Sequence, residues 1–189
     1  MNGVDQLDQL LPTLQAVVAQ ITPDQLDQPT PCANFTVAGV LEHMIGGASA
    51  FAPAFRGDVA AATAAPPTGT VQQRFRTAMT ELLEAVHSPG AQERVIPAPF
   101  GEMPGSVFAR YVAFDGLIHG WDVTTTVGQP YEPADALVAE VDAFARDLLK
   151  PQMRDGDTFA AETEAPAGSS RLERLVAFSG RQVPARSGA

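Results

Sequence analysis

Three histidines and a single cysteine are the scarce reactive side chains of this chain of 189 residues, and the spacing around two of the histidines is suggestive. In FDGLIHGWDV, Asp115 and His119 stand four apart, so on a helix they share one face, a turn from each other. Asp122 follows three residues later, near the same face. In VLEHMIGGAS, His43 lies beside Val40, Met44 and Ile45, and a helix there points it into or along the apolar side. Taken singly, each has an ordinary explanation. A lone inward histidine is usually a hydrogen-bonded core residue, and an i,i+4 acid–imidazole pair can be a surface ion pair. Taken together, they offer two imidazoles and one carboxylate, the donor set of a three-ligand catalytic zinc centre. Glycines edge both segments: Gly46 and Gly47 a turn after His43, Gly116 and Gly120 directly after Asp115 and His119. A glycine costs a helix about 1 kcal/mol relative to alanine, so these positions call for room or close backbone approach.

With no further histidine or cysteine pointing at the same place, His43, Asp115 and His119 would leave a metal partly open to water or substrate. Nitrogen and oxygen donors suit Zn²⁺ first, with Ni²⁺, Fe²⁺ or Co²⁺ as alternatives. Asp122 has three readings: it orients His119 from behind, acts as a base, or is a plain helix-surface acid. His87 ends a predicted helix, where a cation suits the helix dipole, and reads as a capping or surface residue. Cys32 excludes both an intramolecular disulfide and a cysteine-based zinc site; it reads as a small packed residue, with a reactive thiol as the minor alternative.

The elements that must position these residues are helical. Apolar periodicity predicts a helix over residues 4–21, with Pro12 kinking it or marking a later start. A proline-rich connector leads to a second helix over 36–55, capped by Thr36 or Asn34. Residues 56–69 read as a loop, and 70–87 as a third helix. A short extended pair is expected around Val95–Ile96 and Glu102–Met103. The fourth helix, 106–127, stops at Gly128 and Pro130; a fifth spans 134–149 and a short last one 170–178. The expected fold is all-α: a four-helix bundle with short accessory helices and a small extended hairpin. It is read as one domain over 1–180 with a flexible tail over 181–189.

Composition narrows the function classes. The net charge of −10 disfavours phosphate backbones and anionic lipid, so neither nucleic acid nor membrane is an expected partner. No stretch reaches the roughly eighteen apolar residues of a membrane span, and the acidic start MNGVDQLDQLLPTLQ is unlike a signal peptide. The expectation is a cytoplasmic protein acting on a small-molecule substrate, with homodimerisation through a helix face as one option.

Two strings carry a family resemblance. TPCANFTVAGVLEHMIGG and PFGEMPGSVFARYVAFDGLIHGWDVTTTVGQP resemble the signatures of DinB/YfiT-like metal-binding bundle proteins. Within these, they are similar to the actinobacterial branch that includes the N-terminal domain of mycothiol-dependent maleylpyruvate isomerase; the closing LERLVAFSGR resembles the same branch. The resemblance implies a DinB-like bundle with a central metal on His43, Asp115 and His119. It also implies mycothiol or a similar thiol as cosubstrate, and a transferase or isomerase activity. Asp115 stands where the isomerase domain has a residue similar to glutamate, so the shorter arm asks for a closer helix or a bridging water. The chain shows no counterpart of the isomerase's separate C-terminal domain, so that particular reaction is not expected. Trp121, Phe100, Met103 and Arg181 are candidate walls of the substrate site. Two other functions fit the same ligands: a hydrolase or lyase using water, and a non-catalytic metal- or ligand-binding bundle closed by a fourth ligand such as Asp122 or His87.

Overall fold

The computed structural model describes residues 1–58, 68–98, 101–154 and 159–185. Among the described residues, six α-helices, short 3₁₀ turns and one two-stranded hairpin make up the regular structure, the all-α class expected. Contacts divide the chain into two compact units, Met1–Pro130 and Tyr131–Ala189.

In the first unit, helix α1 (Gly3–Val18) begins on a reciprocal cap. The Asp5 amide donates to the Asn2 side chain at 2.9 Å, and the Asn2 amide donates to the Asp5 carboxylate at 3.1 Å. Pro12 lies inside this helix on its exposed side, so it does not mark the start. Helix α2 (Val37–Arg56) is capped by Thr36, whose hydroxyl oxygen accepts from the Gly39 amide at 3.2 Å, and it ends on Gly57 with φ 82°. Helix α3 (Val71–Val86) opens on a Thr70–Gln73 capping box. Strands β1 (Val95–Ala98) and β2 (Gly101–Pro104) pair antiparallel with Ile96 opposite Met103, the two dipeptides read as extended. Helix α4 (Gly105–Val127) follows β2 without a linker. Its first residue must be glycine, because a Cβ there would lie 2.0 Å from the Ala91 carbonyl oxygen.

The four helices form a ring in which α1 packs on α3 and α4, and α2 packs on α3 and α4. Sequence neighbours α1 and α2 therefore sit across the bundle's diagonal. The α1–α4 seam is tight: a Cβ on Gly3 would come within 2.7 Å of Ala109 Cβ, and one on Gly116 within 3.2 Å of Leu10. Between Val112 and Thr124, α4 is buried almost all round, so it is the bundle's inner helix. Polar groups on such a helix must find partners, because an unpaired buried polar atom costs roughly 1–3 kcal/mol.

In the second unit, α5 (Asp135–Leu148) and α6 (Arg171–Phe178) are joined through a 3₁₀ turn at Pro151–Met153. Asp142 accepts from Arg146 at 2.9 Å. The guanidinium groups of Arg146 and Arg154 lie 4.5 and 4.6 Å from the centre of the Phe178 ring. At the start of the expected tail, the Thr163 hydroxyl donates to the Arg181 carbonyl at 2.5 Å and Val183 is buried. Among the described residues, no helix is long and apolar enough to cross a membrane.

Candidate metal centre

His43 comes from α2, and Asp115, His119 and Asp122 come from α4. The structure brings all four together. Asp115 bridges the two imidazoles: its Oδ2 is 3.5 Å from His43 Nε2 and its Oδ1 is 3.5 Å from His119 Nε2. One ligand atom from each of His43, Asp115 and His119 lies within 4.8 Å of the others. These separations exceed the ~2.7–2.9 Å of a charge-assisted hydrogen bond. They match donors ~2.1 Å from a shared tetrahedral zinc, which stand ~3.4 Å apart. The donor set and this spacing, one imidazole facing each Asp115 oxygen, are compatible with a divalent cation.

Burial grades across the cluster. The His43 side chain is 43% exposed, Asp115 32%, His119 7% and Asp122 0%. His43 runs along the core at its rim, its ring 5.7 Å from that of Phe35 and 4.9 Å from that of His119. Behind His119, the Asp122 carboxylate is 3.0 Å from Nδ1. A carboxylate on that side favours the proton on Nδ1, which leaves the Nε2 lone pair directed at Asp115 and His43. Asp122 is fully buried behind His119, which excludes the plain surface acid and suits a residue that orients the imidazole.

A cavity of about 340 Å³ opens beside the rim, with His43 and Asp115 in its wall. Tyr111, one turn before Asp115, lines it and continues the stripe that leads to His119. Its i−4 spacing from Asp115 was the available signal in the sequence. Burial, with a smaller effect from the Asp115 charge, raises the Tyr111 phenol well above its ordinary range, so it stays protonated. Of the walls expected from sequence, Trp121 is buried away from the cavity and Met103 sits in β2, neither lining it. Phe100 lies outside the described residues, and Arg181 belongs to the second unit.

The remaining reactive residues separate. His87 caps α3 and pairs with Asp8 at 2.8 Å, the surface role expected of it. Cys32 does not stand apart: with His119 and Asp122 it forms a second group of donors within 4.8 Å.

Residues 7–124 match the family described as mycothiol maleylpyruvate isomerase N-terminal domain. The chain belongs to this family. The matched span includes His43, Asp115, His119 and Asp122, and so takes in the whole cluster. Two uncharacterized proteins of Mycobacterium tuberculosis, from strains CDC 1551 / Oshkosh and H37Rv, are each 34% identical over 172 residues, covering 89% of this chain and 91% of their own length. Those 172 residues exceed the first unit's span of Met1–Pro130, so the likeness continues into the second unit. No solved structure matches the chain with significance.

Proposed function

We propose that this family member is a divalent-metal-dependent enzyme that activates a low-molecular-weight thiol, mycothiol, for transfer or isomerisation. The carrying observation is the convergence of His43, Asp115 and His119 at the wall of a cavity able to admit a small substrate. These three residues hold the metal, with zinc the first expectation and nickel, iron or cobalt the alternatives. When bound, the cation supplies the positive charge that stabilises a thiolate at neutral pH. Asp122 fixes the His119 ring and tautomer from behind. Tyr111 and apolar residues line the cavity beside His43 and Asp115, where the substrate would lie.

The cavity's size favours one further reading. At about 340 Å³ it is small for a pseudodisaccharide thiol, so either the sugar part stays outside the bundle or the same ligands serve a hydrolase or lyase that uses water. Zinc-loaded protein incubated with mycothiol and a bimane electrophile separates the two. A metal-dependent rate of thioether formation supports thiol activation. No rate above background for any low-molecular-weight thiol sinks it.

A further inference from the structure

The cavity beside His43 and Asp115 has a composition that selects its occupant. Met44, Phe51, Met79, Leu82 and Val112 supply apolar walls, and Tyr111 supplies a phenol. Among the described residues no lysine or arginine lines it, and in the metal-free protein the Asp115 carboxylate repels anions. A carboxylate-bearing molecule would lose hydration there without gaining a cationic side chain. Small residues help to make the volume: α2 presents Gly46, Gly47 and Ala50 to the cavity and α4 presents Gly116. Gly46 is the telling position. It stands exposed at the cavity mouth, and a Cβ built on it meets nothing within 4 Å, so the backbone would tolerate a side chain there without a clash. Glycine in mid-helix costs about 1 kcal/mol against alanine, and at this place the missing side chain leaves open volume. Gly116 differs, since its Cβ would press on Leu10 of α1.

We infer that this cavity binds an uncharged, mainly apolar small molecule of about one ring and a short arm, which serves as the co-substrate of the metal centre. The inference rests on the proposed function only for the word co-substrate; the choice of an uncharged occupant rests on the cavity walls. About 340 Å³ lies at the low end of the ~300–1,000 Å³ of small-molecule pockets.

The test uses two probes of nearly the same shape: benzylideneacetone, an uncharged conjugated ketone, and cinnamate, in which a carboxylate oxygen replaces the methyl group. Binding of each is measured by calorimetry and by ligand-observed NMR on full-length protein, zinc-loaded and after chelation. The ketone should bind in both states, and after chelation, where no cation offsets Asp115, cinnamate should bind about tenfold or more weaker than the ketone. Gly46→Leu should weaken ketone binding about tenfold while melting no lower than the parent chain, because leucine gains helix propensity and meets open space at the mouth. Equal or tighter cinnamate binding after chelation overturns the inference, as does ketone binding that Gly46→Leu leaves unchanged, or no ketone binding at all. Should Gly46→Leu fold poorly, Gly46→Ala and Met79→Trp narrow the same space from two helices, and undiminished ketone binding in both counts equally against it. The two failures are distinct. If the metal–thiol reading fails, the ketone still binds and still responds at Gly46. If the cavity inference fails, the bimane reaction with mycothiol proceeds without ketone binding.

Discussion

The two histidines of the cluster are delivered in opposite ways. His119 rises from a helix buried nearly all round, with the fully buried Asp122 at 3.0 Å behind it. His43 stands on α2 at the rim, with 43% of its side chain exposed. A buried, carboxylate-backed imidazole is fixed before any ion arrives, whereas a rim imidazole can adjust to ion and substrate. One half of the centre is therefore part of the core and the other half part of the surface. The same division separates the glycines: Gly116 serves helix packing and Gly46 serves open volume.

Removing each histidine tests this contrast most severely. His119→Ala should abolish stoichiometric metal in elemental analysis of untagged protein. In chelator it should also lower urea stability by roughly 1–3 kcal/mol, since the buried Asp122 carboxylate loses its hydrogen bond to the His119 imidazole. His43→Ala should reduce metal content as well, but shift apo-protein stability by no more than about 0.5 kcal/mol. Equal destabilisation by the two variants would break the comparison. Next in size, Asp122→Asn keeps the shape behind His119 and should weaken zinc affinity about 10–100-fold in a chelator competition.

A smaller expectation concerns which donor group is used. Cys32→Ser should leave zinc content and affinity unchanged, because the open group is His43, Asp115 and His119. Loss of metal in that variant would transfer the centre to Cys32, His119 and Asp122 and favour a closed, non-catalytic site. The smallest effect lies in alkali. The folded state holds the Tyr111 phenol above its ordinary value of 10.0, mainly through burial. Its contribution to stability is fully present below about pH 10 and is lost as pH rises towards the folded value. Tyr111→Phe should therefore flatten the decline of stability above pH 10, measured by urea titration at stepped pH.

Much of this organisation is legible before folding is considered. The caps at Thr36, Thr70 and Ser170, and the stops at Gly57 and Gly128, are local signals, since each side chain or glycine serves backbone groups a few residues away. The pairing of Asp115 with His119 is equally local, because the helical period alone puts them on one face. Pro12 is harder to read from its surroundings: the helix that tolerates it is held by Leu7, Leu10 and Leu14 against other helices. The walls of the cavity were least legible. Along α4 nearly every face is buried, so periodicity does not say which of Tyr111, Trp121 or Phe108 meets open space.

The sequence by itself determined the helices, their ends, the donor types and the Tyr111–Asp115–His119–Asp122 stripe, because all of these depend on contacts within a few residues. The tertiary structure decided how the two histidines differ. Only the packing of α2 beside α4 sets His43 at 3.5 Å from Asp115, places Cys32 near the back of His119, and turns Gly46 towards empty volume and Gly116 towards Leu10. Those relations join residues dozens of positions apart, and no local periodicity encodes which face of one helix another will meet.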